Sequence, residues 1–434
     1  MDNVAVHPDE LAALRTPDGE QALVAATALV DGAAGNDPLA AASALRATGV
    51  AAPLAAAALT QATLRRRAVV KFGPAAERMF FTRTGLEQAT RAAVADRRAA
   101  RLHAAGVRSL VDLGCGLGAD ALAAARAGIR VYAVEADPGT AALATANAAA
   151  TGLAELVTVD CADATTVDVR GYDAAFCDPA RRAGATGRRT FDPDSYSPPW
   201  SFIRSLVDQM PRTVLKVAPG IDHSLVPPGA QAEWVSVDRE MVEATFWCGP
   251  LATTGDPPAM ADGRSGDRAA GRQATLLRAG GPPAVLIGDG AEPVAVGPVR
   301  RYLYDPDGAV VRSHLVAAFA ATVDGALADG SIAYVYADSA TRTPYARCLE
   351  ITDVLPFSLK RLRALVRDRG ITRLEILKRG SALDPAQLRR DLRLRPAAGP
   401  RAGGSAASLV LTRVAGAPTA LLARPVPAGH PSTG

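Results

Sequence analysis

Residues 110–118, LVDLGCGLG, constrain this chain more than any other segment, because a short apolar run passes without a break into Gly114, Gly116 and Gly118. A run of Val and Leu bounded in this way reads as a buried strand. Glycines at its end let the backbone turn sharply and approach a ligand with no side chain in the way. Asp112 sits just inside the strand end. A helical stretch over 118–127 leads to a second strand over 130–135, which ends on Glu135. A carboxylate at that place can accept both hydroxyls of a ribose. A helix over 138–151 and strands over 156–160, 172–178 and 213–218 continue the alternation. It predicts a doubly wound parallel sheet with helices on both faces. Strands over 234–237, 243–248 and 272–278 extend it, and 253–271, rich in Gly, Pro and Asp, reads as an extended surface loop.

The glycines alone leave the ligand open. Gly114, Gly116 and Ala119 also satisfy the GxGxxA dinucleotide fingerprint, and a purely structural turn would use glycine too. The downstream acids separate these readings. Asp163 follows the third strand in VTVDCADAT, where it can reach an adenine edge, and the fourth strand ends in CDPAR with Asp178 and Pro179.

Taken together, DLGCGLG, VEAD, CADA and CDPAR resemble the successive motifs of class I S-adenosylmethionine-dependent methyltransferases. The resemblance implies S-adenosylmethionine as cofactor. It implies that Asp112 stabilises the loop near the methionine moiety, and that Gly114, Cys115 and Gly116 contact that moiety through their backbone. Gly118 belongs to the same loop, Glu135 would hold the ribose, and Asp163 the adenine amino group. In relatives with a D/N-P-P-aromatic motif, the acid and a backbone carbonyl accept hydrogens from a planar amino group and orient its nitrogen toward the methyl. Here Asp178-Pro179 lacks the second proline and the aromatic, so an exocyclic nitrogen is one candidate target. Phe176 reads as core, and an acceptor base could stack on Arg181, Tyr196 or Trp200 instead. The DPARRAG run also echoes uridine-C5 methyltransferases, but no cysteine follows the fifth strand at 215–220, which argues against covalent thiolate chemistry.

Charge is unevenly distributed. Net charge is +4, yet residues 65–108 carry +8 and residues 355–401 carry +9, leaving −13 for the rest. Basic segments on an acidic body suit a polyanion such as nucleic acid; solvated arginine-rich helix faces are the alternative reading. Arg181, Arg182, Arg188 and Arg189 follow Asp178, where they could grip phosphate. The flanks resemble a bacterial methyltransferase family with a THUMP-like carboxyl-terminal domain. Lys71, Phe80, Thr84, Glu87, Gln88 and Thr90 carry the match before the sheet, and RYLYDP from Arg301 and LEILKRG from Leu374 carry it after. The catalytic module resembles trimethylguanosine-synthase-like enzymes. THUMP domains bind RNA, so the resemblance implies RNA recognition by 298–425. Lys378 and Arg379 are the sharper candidates for phosphate contact, and a helix over 359–369 would expose Lys360, Arg363, Arg367 and Arg369.

The expected organisation is α/β throughout: a helical region over 1–104, a methyltransferase domain over 105–280 and a smaller THUMP-like domain over 298–425, with 279–298 as the linker. Short helices fill 1–64, and one long helix is expected over 84–105 with Thr84 as its cap. The opening residues lack the apolar core of a secretory signal, and no stretch is long enough to span a membrane. The cysteines Cys115, Cys161, Cys177, Cys248 and Cys348 lack metal-ligand spacing, so they read as free thiols of a cytoplasmic protein without a metal. The leading expectation is methyl transfer to a base nitrogen of tRNA or rRNA. A small-molecule or protein methyltransferase is the alternative, as is a non-catalytic RNA-binding protein with a vestigial cofactor fold. Oligomeric state is not legible.

Overall fold

The computed structural model describes residues 8–32, 37–181, 196–253, 271–393 and 405–426. Four helices open the chain: α1 (Pro8–Leu14), α2 (Pro17–Asp31), α3 (Pro38–Ala47) and α4 (Ala52–Phe72). Proline suits the first turn of a helix, where its missing N–H leaves no bond unmade. Thr16 caps α2 by accepting from Gly19 N, and Asp37 caps α3 by accepting from Leu39 N and Ala40 N. The single helix expected over 84–105 is instead two, α5 (Arg83–Gln88), capped by Thr82, and α6 (Ala92–Ala104). The cause lies in Lys71 at the end of α4. Its three ammonium hydrogens go to the carbonyls of Leu86, Glu87 and Ala89, at 2.8, 2.7 and 2.9 Å. A continuous helix would have spent those carbonyls on its own amides.

The first sheet is built from β1 (Ser109–Leu113), α7 (Ala119–Arg126), β2 (Arg130–Glu135), α8 (Pro138–Ala150), β3 (Val157–Cys161) and β4 (Ala174–Cys177). A two-residue pairing of β5 (Ala180–Arg181) with β6 (Tyr196–Ser197) and a helix, α9 (Trp200–Gln209), precede β7 (Thr213–Val217). Then come β8 (Gln231–Val237), β9 (Glu240–Trp247), β10 (Arg272–Leu277) and β11 (Ala284–Gly288). The strand order is β11-β10-β8-β9-β7-β4-β1-β2-β3. Pairing is parallel from β7 through β4, β1 and β2 to β3. Strand order reverses at β1, so the crevice between the carboxyl ends of β1 and β4 is the switch point where such sheets bind ligands. The strand β11 falls inside the stretch expected to be a linker, and α9 had no sequence expectation.

The chain divides into two compact units, the first comprising Met1–Val217, Ile221–Ala230 and Thr245–Asp256. Its core is continuous from Leu11, Leu23 and Leu64 of the opening helices to Leu110, Leu122, Phe176 and Val214 of the sheet layer. The second unit holds β8, β10 and β11, and a further sheet. That sheet is formed by β12 (Tyr302–Pro306), β13 (Ala326–Leu327), β14 (Val335–Ala337), β15 (Ala346–Pro356), β16 (Ile371–Lys378), β17 (Ser405–Val414) and β18 (Ala417–Pro425), in the order β13-β14-β12-β15-β18-β17-β16. The helix expected over 310–327 is two short ones, α10 (Gly308–Arg312) and α11 (Val316–Thr322), because Ala326 and Leu327 pair with β14. The helices α12 (Leu359–Asp368) and α13 (Pro385–Leu392) pack on one face of this sheet. Alternation along β17 sends Leu409 and Leu411 to that face and Val410 to a separate cluster with Leu303, Tyr334 and Leu349. Among the described residues no helix is long and apolar enough to cross a membrane. Most of the expected loop over 253–271 lies outside them.

Candidate active site

The glycine loop forms as its residues require. Gly114 has φ +90° and Gly116 has φ +55°, in the left-handed region where a side chain is strained. A Cβ on Gly114 would stand 3.5 Å from the Asp178 carbonyl oxygen, which places the loop against the end of β4. The amides of Gly114 and Cys115 both donate to the Val134 carbonyl, and Gly118 is the N-cap of α7. The loop is therefore a cradle shaped chiefly by its backbone.

Glu135 closes one side of this cradle. Its Oε2 accepts from Gly116 N and its Oε1 from Asp137 N, both at 3.0 Å. Two backbone donors fix the carboxylate plane at the end of β2, and each oxygen retains a lone pair for a hydroxyl. Asp163 lies beyond β3 as the cap of a short turn. Its Oδ1 accepts from Thr165 N and Thr165 Oγ1, both at 2.8 Å, and these bonds hold the exposed carboxyl below its usual range.

Asp112 is fully buried, and neither of its carboxyl oxygens finds a hydrogen-bond partner among the described residues. Burial pushes its carboxyl well above the usual range, and the nearby Asp120 and Asp178 add to the rise, against the pull of Arg98 and Lys216. A buried acceptor without a donor is costly unless a ligand supplies one. The glycine cradle, the oriented Glu135 and the orphaned Asp112 fit a cofactor bearing a ribose and an amino acid tail.

Asp178 lies directly after β4 and is about one-third exposed. Its Oδ2 pairs with Lys216 Nζ from the neighbouring β7. Lys216 also donates to Thr90 Oγ1 at 3.0 Å, and Thr90 donates to Asp120 Oδ2 at 2.6 Å. Arg98 of α6 completes the chain with an ion pair to the other Asp120 oxygen, and its guanidinium lies 4.7 Å over the Phe176 ring. The sequence reading missed Lys216, Arg98 and Asp120 as site residues. A lysine inside a strand among 44 arginines and only four lysines was the available signal. Cys115 and Cys177 are raised well above the ordinary thiol range, chiefly by burial, which suits neither to nucleophilic work.

Phe176 is core, as its sequence setting suggested. Tyr196 and Trp200 are also buried, with ring centroids 5.8 Å apart, so they pack on each other. Arg181 has its backbone in β5, and Arg182, Arg188 and Arg189 lie outside the described residues. In the second unit, Lys378 is exposed at the end of β16 and donates to the Leu383 carbonyl at 3.0 Å. Arg379 has internal partners: Asp305 Oδ1 at 2.8 Å, the Pro306 carbonyl at 3.0 Å, and the Tyr334 ring at 5.3 Å.

Comparison with known proteins places these features. A methyltransferase domain family matches residues 111–179, a THUMP domain-like family matches 346–425, and a domain of unknown function (DUF8688) matches 7–68. An uncharacterized S-adenosylmethionine-dependent methyltransferase of Mycobacterium tuberculosis, recorded from strains CDC 1551 and H37Rv, is 33% identical over 363 residues, covering 81% of this chain and 90% of the relative. The crystal structure of a "putative methyltransferase" from Porphyromonas gingivalis W83 shares the fold, with a TM-score of 0.66 at 19% identity over 87% of this chain and 92% of that one. The glycine cradle and its acids thus sit in a chain that belongs to the S-adenosylmethionine-dependent methyltransferases and ends in a THUMP-like domain.

Proposed function

We propose that this chain is a cytoplasmic enzyme that methylates a base nitrogen of tRNA or rRNA. The observation that carries the reading is the placement of Asp178: partly exposed, at the end of β4, against the glycine loop through its own carbonyl oxygen. The cofactor, when bound, supplies an electrophilic methyl group on a sulfonium. Glu135 would take the ribose hydroxyls, Asp163 the adenine amino group and Asp112 the methionine end, and the bare backbone of Gly114, Cys115, Gly116 and Gly118 would allow the close approach. Asp178 and the Pro179 segment would accept hydrogens from a planar amino group, leaving the nitrogen lone pair directed at the methyl. The methylated nitrogen would release one proton to solvent, and the sulfur of the departing cofactor would keep the electron pair. The contribution of this chain is positioning and electrostatics.

The THUMP-like match and the basic balance of residues 355–401 support RNA as the acceptor. Lys378 and the side of α12 bearing Lys360 and Arg367 would contact phosphates, as would Arg181 and Arg182, which follow Asp178 in the sequence. The test is transfer of labelled methyl to total RNA from a strain lacking this gene, beside wild-type RNA whose sites are already filled. Label should enter the deletion RNA alone, and Asp178→Ala should abolish transfer while retaining cofactor binding. Label in neither RNA, with cofactor binding confirmed, refutes an RNA acceptor. An active Asp178→Ala enzyme refutes the role given to Asp178.

A further inference from the structure

The Asp178 carboxylate is held asymmetrically. Its Oδ2 is engaged by Lys216, whereas Oδ1 takes no hydrogen bond from the described residues and the side chain remains about one-third exposed. Lys216 in turn is only 13% exposed. The polarity of its second contact is determined by chemistry. Thr90 has one hydroxyl hydrogen, which goes to Asp120, so the Thr90 oxygen can only accept from Lys216. Asp120 stands in the first turn of α7, where a carboxylate is favoured, and Arg98 balances it. Thr90 and Arg98 both come from the helical region before the sheet, and the turn carrying Thr90 is held by Lys71. That region therefore reaches the acceptor carboxylate by a continuous chain of contacts.

We propose that Lys216, oriented by Thr90, is a positioning residue that locks one oxygen of Asp178 and leaves the other as a pure hydrogen-bond acceptor, so that the site selects a methyl acceptor bearing an N–H. The inference rests on the reading of Asp178 as the acceptor-binding group. A carboxylate fixed in this way rewards an amino nitrogen and offers nothing to a ring nitrogen or carbonyl oxygen that can only accept. It also gives residues 71–98 a place in acceptor selection, apart from bracing the fold.

Two measurements decide it, and the first needs no methyl acceptor. With only four lysines, the ammonium 15N spectrum of the full chain is sparse, and the Lys216 signal is assigned by its loss in Lys216→Arg. A slowly exchanging Lys216 ammonium is expected, and it should shift and broaden in both Asp178→Asn and Thr90→Val but persist in Thr90→Ser. A signal indifferent to Asp178→Asn and Thr90→Val overturns the proposal. The second is steady-state transfer with deletion-strain RNA. Lys216→Met should lower kcat about a hundredfold, the size seen when one preorganised hydrogen-bond donor is removed. Cofactor affinity should stay within about threefold, and Lys216→Arg should recover a tenth or more of wild-type kcat. A Lys216→Met enzyme within threefold of wild-type kcat overturns the proposal, and so does one that has lost cofactor binding. If wild-type protein transfers nothing to RNA, the RNA reading fails, and the ammonium spectrum still decides whether Lys216 holds Asp178.

Discussion

Asn147 offers the sharpest test of how the helical region and the glycine loop are joined. It is fully buried on α8 and uses every polar atom of its amide. Its Oδ1 accepts from Phe80 N at 2.7 Å, and its Nδ2 donates to the carbonyls of Phe80 at 3.1 Å and Leu117 at 3.0 Å. Phe80 belongs to the segment before α5, and Leu117 to the glycine loop. One side chain thus clips both to α8. Asn147→Leu keeps the branching and the number of heavy atoms but leaves one amide and two carbonyls without their partner inside the core. At about 1 kcal/mol per orphaned group, the low end of the range, the loss is about 3 kcal/mol. Leucine regains about half a kcal/mol through helix propensity. The net is about 2.5 kcal/mol of destabilisation, enough to move Tm down by about 5–10 °C in a domain of this size. Urea unfolding followed by tryptophan fluorescence should report that loss, and the Phe80 amide should lose its hydrogen-exchange protection. Cofactor affinity should fall as well, because Leu117 adjoins Gly116. A loss below about 1 kcal/mol, or an unchanged Phe80 amide, would refute the view that this amide joins the two elements.

Three further outcomes follow from the same geometry. Because Asp112 holds its proton more tightly folded than unfolded, it favours the folded state most below the ordinary carboxylate range, and that contribution declines as pH rises toward its folded-state value. Asp112→Asn should therefore gain stability relative to wild type as pH increases, and a constant difference in Tm from pH 4 to 8 would contradict the shift. Lys378→Glu should weaken RNA binding and flatten its salt dependence by about one ion with Tm unchanged, as measured by filter binding across a salt series. Arg379→Glu should instead lower Tm, because it places a carboxylate against Asp305; an unchanged Tm would show that this pair contributes nothing.

The alternation of strands and helices over 107–218, the glycine loop and the acids at strand ends were legible because each is a local signal. Periodicity, glycine at a strand-to-helix turn and a carboxylate at a strand terminus depend on a residue and its near neighbours. The elements missed were those whose state is decided elsewhere. The helix over 84–105 has a continuous helical pattern, yet Lys71, more than ten residues earlier, claims the carbonyls that would have continued it. The strand β11 is short and flanked by Gly and Pro, so its apolar run reads as linker until β10 offers it a partner.

The candidate site divides along the same line. Residues 110–135 and Asp178 determine by themselves a glycine loop after β1 and carboxylates at the ends of β2 and β4. The pairing of Asp178 with Lys216 is decided only by the tertiary structure. It joins Lys216 on β7 to a residue 38 positions earlier, just past the end of the neighbouring β4, and Thr90 reaches Lys216 across 126 positions. Sequence spacing carries no information about such contacts, because they arise from the order in which parallel strands are laid side by side. The internal pairing of Arg379 with Asp305 is of the same kind, because only the fold brings these two residues together.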